Sequence, residues 1–332
     1  MPKFSVIVPV YNRPDEVLDL MASLAAQTAG NFEAIIVEDG STVPCKESVD
    51  RYADKVDVHY FYKSNEGRSI ARNYGIDRSK GDYLIFFDSD CVIPHDYFEK
   101  LAKALADNPL DCFGGPDAAH DSFTDTQKAI SFAMTSFLTT GGIRGGKVSM
   151  EKFVPRSFNM GYSRKVYDTV GGFREMFSED IDMSTRIRRA GFSVGLLRDC
   201  HVYHKRRIDF RKFWRQVYVF GMSRITLHLL YSGSMKIVHA LPAAAVLAGV
   251  ACVLLAIFYS PWWLLPIALY LLAIFIAAWA SSRSLKIAAL AVPASVVQIC
   301  GYGCGFIKAY FTKIILGRGR DINEEIAIRK GK

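Results

Sequence analysis

The sequence predicts an α/β fold with a mostly parallel sheet, followed by C-terminal helices that cross a membrane. Apolar, β-branched runs with the length of strands lie at 4–9, 33–37, 56–62 and 83–87. Apolar residues at helical spacing lie between these runs, over 15–26 and 69–78. Strands that alternate with helices in this way favour right-handed crossovers, and therefore a parallel sheet.

The C-terminal part has segments long enough to cross a membrane, because a spanning helix needs about 20 predominantly apolar residues. Residues 238–259 and 262–280 meet this condition, and residues 238–316 contain no Asp or Glu. The third apolar stretch, 285–316, leaves two interpretations. Either a re-entrant hairpin bends near Gly301, Gly303 and Gly305, or the basic tail is an exception to the positive-inside rule. We favour an even number of crossings with a cytoplasmic tail.

These patterns divide the chain into four parts. Residues 1–205 form the α/β domain, 206–236 amphipathic helices, 237–317 the membrane helices and 318–332 a basic tail. In the second part, Phe210 to Leu230 carries apolar residues at helical spacing with Arg and Lys on other faces. This pattern is typical of a helix at the membrane interface, and equally of an amphipathic core helix.

Charge and cysteine usage indicate the compartment. The formal net charge is +8, and Lys and Arg cluster at 205–215 and 308–320, next to the apolar region, which favours an anionic cytoplasmic leaflet. The α/β part has no basic stripe with interleaved aromatics, so nucleic acid is not expected as a partner. Seven scattered cysteines without a CxxC pair indicate free thiols, and the N-terminus lacks a signal-peptide pattern. We therefore expect the protein in the cytoplasmic membrane, with the α/β domain on the cytoplasmic face.

Polar residues follow three of the predicted strands at the point where each strand ends. They are Tyr11, Asn12 and Arg13, then Glu38 and Asp39, and then Asp88, Ser89 and Asp90. In open α/β sheets, ligands bind beyond the carboxyl ends of the strands. We therefore expect these carboxylates to meet at one edge of the sheet.

Asp88 and Asp90 close a buried strand and lie at i and i+2, so their side chains project from the same side of an extended segment. Such carboxylates suit Mg²⁺ or Mn²⁺, which fill their other positions with water and phosphate oxygens. A cation held there would neutralise charge on a departing nucleotide diphosphate. Taken alone, an Asp-x-Asp pair after a strand is more often only a turn.

Several motifs occur in order between Ser5 and Gly191. They are SVIVPVYNR at 5–13, VEDGS at 37–41, Asn65-Glu66-Gly67, Ala71-Arg72-Asn73, DSD at 88–90 and SED at 178–180. The ordered set resembles glycosyltransferase family two. The resemblance implies a GT-A catalytic domain, which is Rossmann-like, and a nucleotide-diphosphate sugar as donor.

The resemblance also implies roles for the matching positions. On the donor side they are Pro9, Tyr11, Asn12, Glu38, Asp39, Arg72, Asp88 and Ser89, with Glu38 and Asp39 at the nucleobase and Arg72 near the phosphates. Asp90 is expected on the metal, together with Asp88. Glu179 and Asp180 match the catalytic acidic pair, with Asp180 as general base. On the acceptor side the matching positions are Asn159, Gly161 and His204.

The segment that follows the acidic pair distinguishes the addition of a single sugar from processive polymer synthesis. Processive relatives carry a Gln-x-x-Arg-Trp motif, whereas this chain has Trp214-Arg215-Gln216 and lacks the Arg-Trp pair. The apolar segments that follow resemble an exopolysaccharide-assembly branch related to succinoglycan enzymes. We therefore expect inverting transfer of one hexose-type sugar, from a UDP donor, onto a polyprenyl-diphosphate-linked acceptor, with other polysaccharide-assembly proteins as further partners.

Three alternatives stay open at the level of the sequence. A polyprenyl-phosphate glycosyltransferase would use the lipid phosphate itself as acceptor, and a processive synthase would make long polymer. A non-catalytic scaffold of a membrane assembly complex belongs to a different class, and the presence of both the Asp-x-Asp segment and Asp180 argues against it. A transporter is disfavoured because the apolar region has no acidic residue to relay ions.

Overall fold

The structure is a computed structural model that describes residues 4–118, 124–140, 153–204 and 209–318. Its strands are β1 (Phe4–Val10), β2 (Phe32–Asp39), β3 (Val58–Lys63), β4 (Tyr83–Phe87), β5 (Cys91–Val92), β6 (Cys112–Gly114), β7 (Asp117–Ala118), β8 (Asn159–Ser163), β9 (Val194–Leu196) and β10 (Val202–His204). Its helices are α1 (Pro14–Ala25), α2 (Lys46–Asp50), α3 (Arg68–Ile76), α4 (Tyr97–Asp107), α5 (Asp125–Thr135), α6 (Phe137–Thr140), α7 (Arg164–Val170), α8 (Glu179–Arg189), α9 (Phe210–Leu230), α10 (Leu241–Phe258), α11 (Leu265–Ser282) and α12 (Leu285–Ala309).

The chain divides into two compact units. The first combines residues 1–120 with 149–205, and the second combines 121–148 with 206–332. The first unit therefore holds the strands, and the second holds α5, α6 and α9 to α12. The helices α5 and α6 group with the C-terminal helices, although their residues lie inside the predicted 1–205 domain.

The first unit is built on a seven-stranded sheet in the order β3-β2-β1-β4-β8-β6-β9. The pairs β3/β2, β2/β1, β1/β4 and β6/β9 are parallel, whereas β8 runs antiparallel to both β4 and β6. A smaller sheet has the order β5-β10-β7. The predicted fold class, a mostly parallel α/β domain with apolar C-terminal helices, is confirmed.

Alternating burial explains why helices cover both faces of this sheet. Val6 and Val8 of β1 belong to one apolar core with residues of α1 and α4, whereas Ile7 belongs to a second core with residues of α3 and α8. Successive side chains of a strand point to opposite faces, so a strand covered on both faces is apolar throughout. The apolar run of β1 from Val6 to Val10 is therefore a consequence of its central position.

The sheet opens at the carboxyl ends of β1 and β4. The pairing of β1 with β4 ends at Ile7 and Phe86, while its pairing with β2 continues to Val10. Pro9 lies in this last part of β1, where its missing N–H leaves no ladder bond to β4 unmade. Because the strand order reverses here, this is the switch point where open α/β sheets bind ligands.

The second unit contains three helices, within its described residues, that are long and apolar enough to cross a membrane. They span Leu241–Phe258, Pro261–Ser282 and Leu285–Ile315. Leu247, Ile257 and Trp279 on the first two are exposed, as is typical of lipid-facing side chains. The third helix is half buried within the unit, so it forms the centre of the helical packing.

Close packing, not a bend, explains the glycines of α12. The helix continues without a break from Leu285 to Ala309, so the re-entrant hairpin considered near Gly301, Gly303 and Gly305 is wrong. A side chain at Gly305 would collide with the backbone oxygen of Tyr218 on α9, and one at Gly301 would collide with Val217. Small residues let two helix backbones approach closely, and α9 uses this to bury Phe213, Val217 and Gly221.

Candidate active site

An ion pair joins the two strand ends at the switch point. The guanidinium of Arg13, which directly precedes α1, lies with Nη1 3.1 Å from Oδ2 of Asp90 and 3.2 Å from Oε1 of Glu16. The Asp90 side chain is 14% exposed and that of Arg13 is 28% exposed. The segment after β1 and the segment after β4 therefore meet, as the topology predicts.

A second arginine connects the Asp-x-Asp segment to the start of α8. Arg72 of α3 donates from Nη2 to Oδ1 of Asp88 and from Nη1 to Oε1 of Glu179, each at 2.8 Å. Its side chain is only 1% exposed. Burial by itself would lower the pKa of this guanidinium, but Asp88 and Glu179 raise it. The predicted metal segment and the predicted catalytic pair are thus brought together by one buried cation.

The two acidic residues at the start of α8 differ in their surroundings. Glu179 is buried between Arg72 and Arg68, whose Nη2 lies 2.9 Å from Oε2 of Glu179. Asp180 is more accessible, accepts a hydrogen bond from the Ile181 N–H and lies 3.5 Å from Arg156. Glu179 is therefore fixed by two arginines, whereas Asp180 is the more accessible of the two carboxylates, and the catalytic roles of both stay predictions.

The residue before this pair adopts a less common backbone conformation. Ser178 has φ 63° and ψ 37°, in the left-handed region, and its side chain makes no capping hydrogen bond to α8. Ser178 therefore does not cap this helix with its side chain, although serine is a common residue at that position. A buried ion-pair network holds this end of the helix, since Asp182 pairs with Arg174 and Arg186. Arg186 also donates to the carbonyl of Gly172, which ties the preceding loop to α8.

Glu38, at the end of β2, organises the loop that follows it. The carboxylate is buried and accepts hydrogen bonds from the Ser41 hydroxyl, the Cys45 N–H and the Tyr60 hydroxyl. Burial raises the pKa of both Tyr60 and Cys45, and the neighbouring Glu38 carboxylate raises each further. Glu38 therefore holds the loop after β2 in shape, and its role at a nucleobase stays a prediction.

Asp39 holds the loop between β3 and α3. Its carboxylate accepts hydrogen bonds from Lys63 Nζ at 2.8 Å, the Glu66 N–H at 3.0 Å and the Gly67 N–H at 2.8 Å. Burial by itself would lower the pKa of Lys63, but the hydrogen bonds to Asp39 and Glu66 raise it above its ordinary value. A carboxylate has about four acceptor positions, so one more donor can still be accommodated.

The other predicted donor residues lie around the same edge. Asn12 has φ 53°, and its Oδ1 accepts hydrogen bonds from the N–H groups of Thr42 and Val43, so it joins the ends of β1 and β2. Tyr11 is exposed beside it, and Ser89 is buried. Tyr11 is therefore the member of this group that can present a ring face to a ligand.

Of the residues predicted on the acceptor side, Asn159 and Gly161 have structural contacts. Asn159 is buried, accepts a hydrogen bond from Tyr97 and donates one to the carbonyl of Cys200. Gly161 lies against the ring of Phe113, which leaves no room for a side chain. His204 lies within β10, opposite Cys91 of β5, and so one position from Asp90 in register. Their acceptor role stays a prediction.

The chemistry of the Asp-x-Asp segment fits a hard divalent cation. Asp88 is 34% exposed, and both it and Asp90 offer carboxylate oxygens, the ligands that Mg²⁺ and Mn²⁺ prefer. The arginines at both carboxylates show that this segment already collects positive charge. Asp88 and Asp90 would hold the cation, with phosphate oxygens and water completing its coordination.

A second acidic group lies at the opposite end of the strands. One ligand atom each of Glu33, Asp57 and His59 falls within 4.8 Å of the others, close enough to hold a metal ion. Glu33 and His59 are near the amino ends of β2 and β3, away from the switch point. Proximity of ligand atoms alone would favour this group, whereas the topology favours Asp88 and Asp90.

Apart from Arg72, the arginines that hold the acidic residues were not predicted from the sequence. Arg13 was noted only because it follows β1, and Arg68 and Arg156 were assigned no role. The sequence could have predicted a role for Arg68. It lies four residues before Arg72 and therefore on the same face of a helix. No local signal pairs Arg13 with Asp90 or Arg156 with Asp180, since these contacts join distant segments.

Comparisons with known proteins agree with this architecture. The sequence profile of the family described as Glycosyl transferase family 2 matches residues 5–171. An uncharacterized glycosyltransferase of Rickettsia bellii (strain RML369-C) is 41% identical over 106 residues, which are 32% of this chain and 15% of that protein. Glycosyltransferase GlyA of Streptococcus pneumoniae serotype 4 is 36% identical over 110 residues, 33% of this chain and 16% of that protein. The matched segments thus span less than a fifth of either relative.

A solved structure shares the fold over most of the chain. It is the mannosyltransferase PcManGT from Pyrobaculum calidifontis, in complex with GDP-Man and Mn²⁺. The two chains superpose with a TM-score of 0.58 at 18% sequence identity, over 94% of this chain and 88% of that one. At this identity the likeness concerns the fold.

Proposed function

This chain belongs to glycosyl transferase family 2, and we propose that it is an inverting, metal-dependent glycosyltransferase held at a membrane. Its donor is a nucleotide-diphosphate sugar, with UDP as the nucleotide. Its acceptor is a polyprenyl-diphosphate-linked intermediate, to which it adds one hexose-type sugar during polysaccharide assembly. The observation that carries this proposal is the Arg72 bridge between Asp88 and Glu179.

That bridge supports the proposal because it joins the two halves of a transfer site. Stabilising the leaving group requires positive charge near the diphosphate. Arg72 carries such a charge, and the Asp-x-Asp segment next to it can hold a cation. When bound, a divalent cation at Asp88 and Asp90 neutralises charge on the departing diphosphate. Arg72 orients Asp88 and at the same time holds Glu179 at the start of α8.

Asp180 performs the proton transfer in this proposal. Its carboxylate takes the proton of the acceptor hydroxyl as that oxygen attacks the anomeric carbon from the face opposite the leaving group. The Ile181 N–H and Arg156 hold this carboxylate in place. Inversion at the anomeric carbon follows, because the base and the leaving group lie on opposite faces of the sugar.

The nucleotide side of the site rests on Tyr11 and Asp39. Tyr11 offers an exposed ring for stacking on the base, and Asp39 accepts a hydrogen bond from a base N–H. Asn12, Glu38 and Ser41 act indirectly, since their mutual hydrogen bonds hold the loop after β2 in shape. Uracil has one N–H flanked by two carbonyl groups, which suits a single carboxylate acceptor.

The helices of the second unit support placement of the reaction at a membrane surface. The exposed apolar faces of α10 and α11 suit lipid contact, and the basic residues near their ends suit an anionic cytoplasmic leaflet. A lipid-linked acceptor presents its head group at this surface. We place the catalytic unit on the cytoplasmic face, where nucleotide sugars are available.

The deciding experiment offers a panel of nucleotide sugars to the full chain, purified in detergent, with Mg²⁺ or Mn²⁺. We expect slow, cation-dependent release of UDP from one UDP-sugar, measured by a coupled nucleotide-diphosphate assay. Release that persists undiminished after chelation would contradict the metal role, and release of GDP alone would contradict the choice of base. Adding polyprenyl-diphosphate-linked sugars should accelerate release by single addition, and long polymer would instead identify a processive synthase.

A labelling experiment tests the sidedness. An impermeant thiol reagent is applied to intact cells that carry Arg329→Cys in a background without other cysteines. We expect labelling only after the membrane is permeabilised. This result would place the tail in the cytoplasm and would mean that α12, which forms no hairpin, packs among the other helices without crossing the membrane. Labelling of intact cells would place the tail outside and would indicate that all three apolar helices cross the membrane.

A further inference from the structure

We propose that Arg13 is a resident counter-ion of Asp90 that a divalent cation displaces, so that the cation and a nucleotide diphosphate bind cooperatively. The proposal rests on the metal role of Asp90 proposed above. It assigns a function to a residue that has no part in the chemistry described so far. Its basis is the ion pair across the switch point, between Nη1 of Arg13 and Oδ2 of Asp90 at 3.1 Å.

The two arginines that contact the Asp-x-Asp segment, Arg13 and Arg72, differ in their freedom to move. Arg72 is buried between two carboxylates and cannot leave Asp88 without exposing an unpaired charge. Arg13 is 28% exposed and precedes α1 in a loop, next to Asn12 with its positive φ. Solvent can stabilise its guanidinium in more than one position. Arg13 is therefore the exchangeable cation, and Arg72 is the fixed one.

A cation and Arg13 compete for the same carboxylate. A divalent ion that is bound by Asp90 repels a guanidinium held 3.1 Å from Oδ2, so Arg13 must withdraw. Glu16 already lies 3.2 Å from the same Nη1 atom and can keep the guanidinium close to the site. The withdrawn positive charge then lies beside the position where the diphosphate of the donor binds.

This exchange couples the two ligands. Without nucleotide, displacing Arg13 from Asp90 opposes cation binding, whereas with nucleotide the displaced guanidinium gains phosphate oxygens as partners. The coupling is reciprocal, so the cation must strengthen nucleotide binding by the same factor by which the nucleotide strengthens cation binding. Arg13 therefore acts as a positioning residue that discourages cation binding until the donor arrives.

The test measures Mn²⁺ binding by electron paramagnetic resonance on the full chain in detergent, without nucleotide and with saturating UDP or GDP. Because a partly exposed ion pair is weak, we expect Arg13→Gln to tighten the binding of Mn²⁺ alone by about fivefold. The same variant should reduce the factor by which the nucleotide strengthens Mn²⁺ binding. Arg13→Lys keeps the charge and should retain most of that factor.

Two controls separate this role from a general loss of charge or of fold. Arg51→Gln removes an exposed arginine that pairs with Glu47 on α2, and we expect it to leave both Mn²⁺ affinities unchanged. Circular dichroism verifies that the Arg13 variants are folded. Weaker binding of Mn²⁺ alone in folded Arg13→Gln, or an unchanged nucleotide effect, overturns the proposal. If the wild-type chain bound no Mn²⁺ at any nucleotide concentration, the metal role of Asp90 itself would fail.

Discussion

The first unit has an acidic group at each end of its parallel strands, and the two groups differ in their partners. At the carboxyl ends, arginines pair with Asp88, Asp90 and Glu179. At the amino ends, Glu33 accepts hydrogen bonds from the Ser5 hydroxyl and the Lys80 N–H, each at 2.7 Å. The first group concentrates charge around an opening in the sheet, whereas the second ties strand ends and a loop together.

The difference shows that closeness of carboxylates does not by itself define a binding site. The group of Glu33, Asp57 and His59 satisfies a distance criterion for metal ligands. The pairing of β1 with β2 starts at Phe4, so no opening between these strands lies beside Glu33. Where the strand order reverses, an open α/β sheet offers a ligand site, and the acidic residues there pair with a partly exposed arginine, Arg13, and a buried one, Arg72.

The largest effect is expected from Asp180→Asn. Without a carboxylate to accept the acceptor proton, turnover should fall by about 10³-fold, within the range that general-base catalysis contributes. Binding of UDP should be retained, because Asp180 contacts the acceptor in our proposal. Turnover is measured as transfer to a lipid-linked acceptor, and UDP binding by calorimetry. Near-normal turnover would remove Asp180 from the mechanism.

Next comes the direct comparison of the two acidic groups. We expect Asp90→Asn to lower turnover by about 10²-fold or more, because it removes a charged oxygen ligand of a Lewis-acid cation. Asp57→Asn is the matched change at the opposite edge and should keep turnover within about twofold, as a surface substitution. Mn²⁺ titration of both variants provides a second measurement. The reverse outcome would move the metal site to the amino ends of the strands.

A stability effect should separate the buried arginine from its exposed neighbour. Replacing Arg72 by Met leaves Asp88 and Glu179 without their shared cation, which should lower local stability by about 3–5 kcal/mol. Arg68→Met removes a side chain that is 54% exposed, so its effect should stay below about 1 kcal/mol. Hydrogen–deuterium exchange of peptides from β4 and α8 measures both. Equal exchange in the two variants would show that Arg72 does not hold these elements together.

The smallest effect is a pH dependence at the carboxyl edge. Contacts with Asp39 and Glu66 raise the pKa of Lys63, so its stabilising contribution is complete below the ordinary value of 10.5. That contribution is lost as the pH rises through the higher folded-state pKa. The difference in melting temperature between wild type and Lys63→Met should therefore shrink above about pH 10.5. Lys46→Met removes an exposed lysine and serves as the control, and a difference that grows with pH would contradict the assignment.

The local sequence pattern was sufficient to predict the bounds of helices and strands that have strong hydrophobic periodicity. The strand predicted at 83–87 has the bounds of β4, and the helix predicted from Phe210 to Leu230 has those of α9. The short strands β6 and β9 were missed, because strands of three residues are too short to show a period of two. A bend at the glycines of α12 was one of two interpretations left open, because a glycine that allows close helix packing looks the same in sequence.

The sequence by itself determined the fold class, the three apolar segments and which strand ends carry carboxylates. These depend on composition and on spacing within a few residues. Only the tertiary structure decided that Arg13 pairs with Asp90 and that Arg72 joins Asp88 to Glu179. It also decided that the side chain of Asn159 is hydrogen-bonded to Tyr97 and to the carbonyl of Cys200. The physical reason is that charge pairing and burial depend on distances between segments far apart in the chain.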